Sequence, residues 1–131
     1  MKAEDHKLKV LIVENSPVVA GRIVNVLNEI EDIMIVGEAM NSKEAIIITQ
    51  IMSPDVILLD ISIPGKSGIH VLKEIKELNP ETKVIVLTNY SESYYRNICM
   101  DLGADYFFDK STEFEKVPDV LVSMLVRERV G

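Results

Sequence analysis

Residues 56–68, Val-Ile-Leu-Leu-Asp-Ile-Ser-Ile-Pro-Gly-Lys-Ser-Gly, constrain the fold more than any other stretch of the chain. Four apolar residues run without a break into one carboxylate, Asp60, and a Pro64-Gly65 turn follows at once. An unbroken apolar run of this length fits a strand covered on both faces, as in a parallel sheet. In open α/β sheets the ligand crevice lies beyond the carboxyl ends of the strands, so a residue at this tip projects into it. Taken alone, Asp60 reads equally well as a cap for the loop that follows. The other strand ends decide between the two.

Leu8 to Val13 is a β-branched run that stops at Glu14-Asn15 and reads as a first buried strand. Ser16-Pro17 opens a helix, because serine accepts a bond from a free first-turn amide and proline fits the first helical position. Val19, Ile23, Val26, Leu27 and Ile30 give that helix one apolar stripe. Met34 to Ala39 is a weaker second strand holding Gly37, and Asn41 with Glu44 resembles a capping pair for a second helix to about Met52. After the central strand, Ile69 to Leu78 forms a third helix stopped by Asn79-Pro80. Lys83 to Thr88 is a fourth strand, Ser91 to Leu102 a fourth helix ending at Gly103, and Tyr106 to Asp109 a fifth strand with Lys110 at its tip. The remainder is a helix to Val130 that begins near Val117, since Pro118 is tolerated only in a first turn. Five alternations with short connections predict a three-layer, doubly wound α/β fold on a five-stranded parallel sheet. Right-handed crossovers bring Glu14, Asn15, Asp60, Thr88 and Lys110 to one edge.

At 131 residues the chain predicts one domain after a polar leader, residues 1–7 and 8–131, with no separate output domain. The net charge of −7 excludes a phosphate-binding footprint, so no nucleic acid is expected as a partner. The single cysteine, Cys99, rules out a disulfide framework and reads as a small buried hydrophobe. No signal peptide or membrane-spanning run is visible, which predicts a cytoplasmic protein with no membrane contact. His6 reads as a solvated residue of the leader. His70 has no neighbour in the sequence to orient it as a phosphocarrier.

Two carboxylates, an amide, a hydroxyl and an ammonium in one crevice point to phosphoryl chemistry with a divalent cation. A carboxylate attacking phosphorus is repelled by the anionic oxygens of the group it receives unless positive charge lies between them. Mg²⁺ takes hard oxygen ligands and supplies that charge. Asp60 is then the nucleophile, Glu14 a metal-side acid, Lys110 the counter-charge to a phosphoryl oxygen and Thr88 a hydrogen-bond donor to another.

The acid at Glu14, the Leu-Leu-Asp-Ile-Ser-Ile-Pro-Gly-Lys-Ser-Gly run around Asp60, Val-Ile-Val-Leu-Thr ending at Thr88, and Gly-Ala-Asp-Tyr-Phe-Phe-Asp-Lys ending at Lys110 resemble the response-regulator receiver family of two-component signalling. The resemblance runs from about Leu8 to Met124. It implies a flavodoxin-like sheet of order 2-1-3-4-5. It also implies phosphoryl transfer to Asp60 from a sensor histidine kinase or a phosphotransfer protein. The chain would be no conventional enzyme beyond self-catalysed phosphorylation and dephosphorylation of that aspartate. By the same resemblance, Ser62 offers its backbone carbonyl to Mg²⁺, while its side chain faces the phosphoryl group and affects hydrolysis. Thr88 and Phe107 form a switch pair that reshapes the face of the fourth helix, fifth strand and fifth helix. That face, near Tyr94, Tyr95 and Phe108, would bind a downstream protein or a second copy of the chain.

The chain departs from the family pattern at three places. Asn15 stands where a second acid usually ligates the metal, so Mg²⁺ is expected to bind more weakly, with less repulsion in the empty site. Asn89 is larger than the residue usual after Thr88 and is expected to slow phosphorylation. Ser111 follows Lys110 where many relatives have proline. Two further readings compete with the phosphorylated switch: a degenerate receiver serving as a phosphorylation-independent docking module, and a small hydrolase with an aspartyl intermediate. The hydrolase reading lacks a second acid at Ser62, and the presence of both Asp60 and Lys110 favours the switch over the docking module.

Overall fold

The computed structural model describes residues 7–130, with side chains to Arg127. His6, most of the expected leader and Arg129 lie outside the described residues and side chains.

Five strands alternate with five helices. They are β1 (Leu8–Val13), α1 (Pro17–Asn28), β2 (Ile33–Ala39), α2 (Ser42–Met52), β3 (Val56–Leu59), α3 (Gly68–Leu78), β4 (Lys83–Thr88), α4 (Ser93–Asp101), β5 (Tyr106–Asp109) and α5 (Lys116–Val130). All pairings are parallel, and the sheet order is β2-β1-β3-β4-β5. The expected doubly wound fold is therefore present, with its order reversing between β1 and β3.

Alternation along the strands builds the two apolar layers, because successive side chains of a strand point to opposite faces. Leu11, Val13, Ile57, Leu59, Val84, Val86 and Phe107 pack with residues of α2, α3 and α4. Val10, Ile12, Val56, Leu58, Ile85, Leu87 and Phe108 pack on the other face with residues of α1 and α5. β3 is buried at every residue, as an unbroken apolar run requires. Cys99 is buried in the first layer, and burial pushes its thiol up to about 11.

Helix ends follow local chemistry. Ser16 Oγ accepts from Val19 N at 3.3 Å, with Pro17 in the first turn of α1. Asn41 Oδ1 accepts from Glu44 N at 2.9 Å while Glu44 Oε1 accepts from Met40 N, a reciprocal cap on α2. Pro118 lies in the first turn of α5, where no intrahelical N–H is needed. The fourth helix is shorter than expected at both ends, Ser93–Asp101 instead of 91–102. Glu92 is its N-cap and Leu102 its C-cap, ahead of Gly103.

Candidate functional site

The edge formed by the strand carboxyl ends holds a crevice of about 380 Å³ lined by Glu14, Asn15, Ser16, Val19, Asp60, Ser62, Asn89, Tyr90 and Lys110. Each charged group arrives there because its strand stops. β1 delivers Glu14, β3 delivers Asp60 and β5 delivers Lys110, and all three are buried although they are ionisable.

Lys110 Nζ donates to Glu14 Oε1 and to Asp60 Oδ2, both at 2.7 Å. The remaining carboxylate oxygens accept from the backbone: Asp60 Oδ1 from Ser62 N at 2.9 Å and Glu14 Oε2 from Ser16 N at 3.0 Å. Burial pushes the Lys110 ammonium down, but its bonds to Asp60 and Glu14 and their charges outweigh burial and hold it above its usual value. Two carboxylates share one ammonium, so the cluster is one negative charge in excess. That excess is the electrostatic condition for receiving a cation.

The loop carrying Asp60 onward is fastened from both sides. Ser42 N donates to Pro64 O at 3.1 Å and Lys66 N donates to Ser42 Oγ at 2.9 Å, tying the loop to the start of α2. Gly65 adopts φ +90°, and a Cβ there would strike Ser42 Oγ. Gly68 N donates to Ile61 O at 3.0 Å, and a Cβ on Gly68 would collide with the Ile61 backbone and come within 2.7 Å of Asp60 O. The chain therefore needs glycine where α3 begins.

Thr88 lies at the end of β4, fully buried, and its Oγ1 accepts from Tyr90 N at 3.1 Å. It does not line the crevice. Phe107 is already turned into the core at 2% exposure, with the Arg96 guanidinium 5.2 Å from its ring centre and Arg96 Nη2 donating to Phe107 O at 3.2 Å. Asn15 and Asn89 are exposed at the rim. Asn89 Oδ1 accepts from Ser111 Oγ at 3.2 Å. The Ser91 hydroxyl, with the Ser111 and Thr112 amides, holds the Asp109 carboxyl below its usual range. Tyr94 is 69% exposed, whereas Tyr95 packs against the core and Phe108 is buried under α1 and α5.

Sequence reasoning missed several partners. Nothing local marks Ser42, and the resemblance assigns Ser62 a role through its carbonyl and side chain, whereas its amide is what bonds Asp60 Oδ1. His70 does have an orienting neighbour, contrary to expectation: its Nδ1 lies 3.0 Å from Ser67 Oγ, the cap of α3. It remains exposed and outside the crevice lining.

Glu14, Asp60, Asn15 and Ser62 line the crevice together and offer oxygen donors, which fits Mg²⁺. Among the described residues no group of three or more His, Cys, Asp and Glu side chains is placed to hold a metal, so only two carboxylates are available.

A doubly wound sheet whose order reverses beside a crevice holding an acid pair and a bridging lysine places these groups at the ligand crevice of an open α/β domain. Residues 10–122 match the family model of the response regulator receiver domain, and the chain belongs to that family of two-component signal-transduction domains. It is 36% identical over 107 residues to the transcriptional regulatory protein YdfI of Bacillus subtilis, covering 82% of this chain and 50% of that protein. It is 32% identical over 114 residues to the response regulator protein VraR of Staphylococcus epidermidis, covering 87% of this chain and 54% of that protein. The chain thus spans about half the length of these curated relatives. A solved CheX-CheY-BeF3-Mg+2 complex from Borrelia burgdorferi contains a chain that superimposes with a TM-score of 0.83 at 26% identity, over 91% of this chain and 90% of that one. Among the described residues no helix is long and apolar enough to cross a membrane.

Proposed function

We propose that Asp60 accepts a phosphoryl group from a phosphohistidine of a sensor kinase or phosphotransfer protein, and that the resulting change is read by another protein. The observation that carries this reading is the buried Lys110 ammonium shared at 2.7 Å by Asp60 and Glu14, residues distant from it in the chain. The transfer forms an O–P bond at Asp60 and breaks the donor's P–N bond, whose electron pair returns to the imidazole. Lys110 can exchange its bond to Asp60 Oδ2 for one to a phosphoryl oxygen without leaving Glu14. The Ser62 amide holds the other Asp60 oxygen and so sets which oxygen attacks.

Mg²⁺, typical of the family, would be held by Glu14, Asp60, the Asn15 amide oxygen and the Ser62 carbonyl, and it supplies charge that offsets the incoming phosphoryl group. Asn15 contributes no charge to that set, and a weak metal site follows. Thr88 and Phe107 are the switch residues. The Arg96 bond to the Phe107 carbonyl gives that pair a direct line to α4, and output passes through the face of α4, β5 and α5, where Tyr94 is exposed.

The test is intact-mass measurement after incubation with acetyl phosphate, with and without Mg²⁺, beside Asp60→Ala. A one-phosphoryl gain that requires both Asp60 and the metal is expected. No gain from this donor or from a purified histidine kinase would leave a docking module as the better reading.

A further inference from the structure

Ser111, next to Lys110 in sequence, reaches across to the β4–α4 loop: its Oγ donates to Asn89 Oδ1 at 3.2 Å. Asn89 is followed by Tyr90, whose N–H donates to the Thr88 hydroxyl at 3.1 Å. The two sides of this arrangement differ in firmness. Lys110 is buried and fixed by two carboxylates, and Asp109 N is bound by Glu113 Oε1 at 2.9 Å. Asn89, Tyr90 and Glu92 are exposed, and the cap of α4 has no side-chain bond of its own. The β5 end is a fixed post, and the β4–α4 loop is the part that can move.

We propose that Ser111 is a positioning residue that clasps the β4–α4 loop through Asn89, holding the Thr88 hydroxyl to the Tyr90 amide and restraining phosphorylation of Asp60. The inference rests on the proposed function for its consequence, but the clasp itself is a property of the unmodified chain. While Thr88 Oγ1 accepts from Tyr90, the two are held as one short turn. For the hydroxyl to turn toward a group on Asp60, that turn must open, and the clasp at Asn89, between Thr88 and Tyr90, opposes opening. Ser111 does not line the crevice, so it acts only through the loop. Asn89 does line it, and its effect on access adds to its effect on the loop.

The experiment follows two signals in the full chain: the rate of phosphoryl gain from acetyl phosphate with Mg²⁺, and amide hydrogen exchange at Tyr90 without any donor. Ser111→Ala is expected to raise the maximal phosphorylation rate roughly fivefold, the effect of losing one hydrogen bond of ordinary strength. The donor concentration for half-maximal rate should stay unchanged. Ser111→Thr, which keeps the hydroxyl, should behave as the parent chain. Asn89→Ala combined with Ser111→Ala should raise Tyr90 exchange no further than either alone, because both remove the same bond. If Tyr90 exchange is unchanged in Ser111→Ala, or if Ser111→Thr exchanges as fast as Ser111→Ala, the clasp is overturned. If the parent chain takes up no phosphoryl group while the exchange pattern holds, the clasp stands and the proposed function fails. Raised exchange with an unchanged phosphorylation rate would overturn its restraining role.

Discussion

The two edges of the sheet both carry acids and lysines, yet they use them differently. At the amino-terminal edge a cavity of about 930 Å³, more than twice the size of the crevice, is lined by residues that include Asp55, Lys83 and Asp105. There Asp55 accepts from Lys9 N at 2.8 Å, and Asp105 accepts from Val84 N and Lys76 Nζ, both at 2.9 Å. Each carboxylate caps a strand start, and Lys76 and Lys83 both lie within ion-pair distance of Asp105. Around Asp105, two ammoniums stand beside one carboxylate, so no negative charge is left over there. At the carboxyl-terminal edge two buried acids compete for one ammonium. The smaller space is the one whose named charges leave negative charge in excess.

Substitutions at the two edges can break that comparison, beginning with Lys110→Met. It leaves Glu14 and Asp60 buried at 2.7 Å from nothing positive, and should cost about 3–5 kcal/mol in urea unfolding at neutral pH. The same lysine gives the parent chain an alkaline signature. Its folded value lies above the unfolded one near 10.4, so its contribution is complete below that pH and lost as pH rises through the folded value. Unfolding midpoints measured between pH 9 and pH 12 should fall more steeply in the parent chain than in the variant.

Asp105→Ala comes next. It frees the Val84 amide and Lys76, and should cost about 2 kcal/mol in the same unfolding assay while leaving phosphoryl uptake untouched. A loss of uptake would show that the two edges are not independent. Asn15→Asp adds the missing charge at the crevice rim and should tighten Mg²⁺ about tenfold in calorimetric titration. A tightening this large at Asp105 or Asp55 variants would contradict the charge argument. The smallest effect belongs to Asp60→Ala. Glu14 and Lys110 remain as a balanced pair, so stability should change by no more than about 1 kcal/mol although phosphorylation is lost.

How far the sequence foretold this arrangement depends on which bonds are local. β1, β4 and β5 begin and end where apolar runs meet Glu14, the Thr88 tip and Lys110, and β3 stops at Leu59. The caps at Ser16 and Asn41 are equally local, three residues from their partners. β2 starts one residue early, at Ile33, because Ile33 pairs with Leu8 in a register that a short strand containing glycine does not announce. Residue types placed Glu14, Asp60 and Lys110 at one edge, but not their shared hydrogen bonds across 96 and 50 residues. Glu14 as a metal-side acid follows from residue chemistry, while the metal roles of Asn15 and Ser62 and the switch pair come from family resemblance. The ties from Ser42 to the Asp60 loop and from Asn89 to Ser111 join polar loop residues with no periodic signal. Only coordinates bring such groups within reach.

Gly68 carries no charge, no hydrogen-bonding side chain and no surface, yet its missing Cβ faces the Asp60 carbonyl and the Ile61 backbone. A methyl group there cannot be accommodated by a rotamer change, because what it meets is main chain. It would lever the start of α3 away from the Asp60 loop and carry the Asp60 carboxylate off Lys110. A neutral change at position 68 therefore reaches the centre of the crevice as directly as a change of charge does.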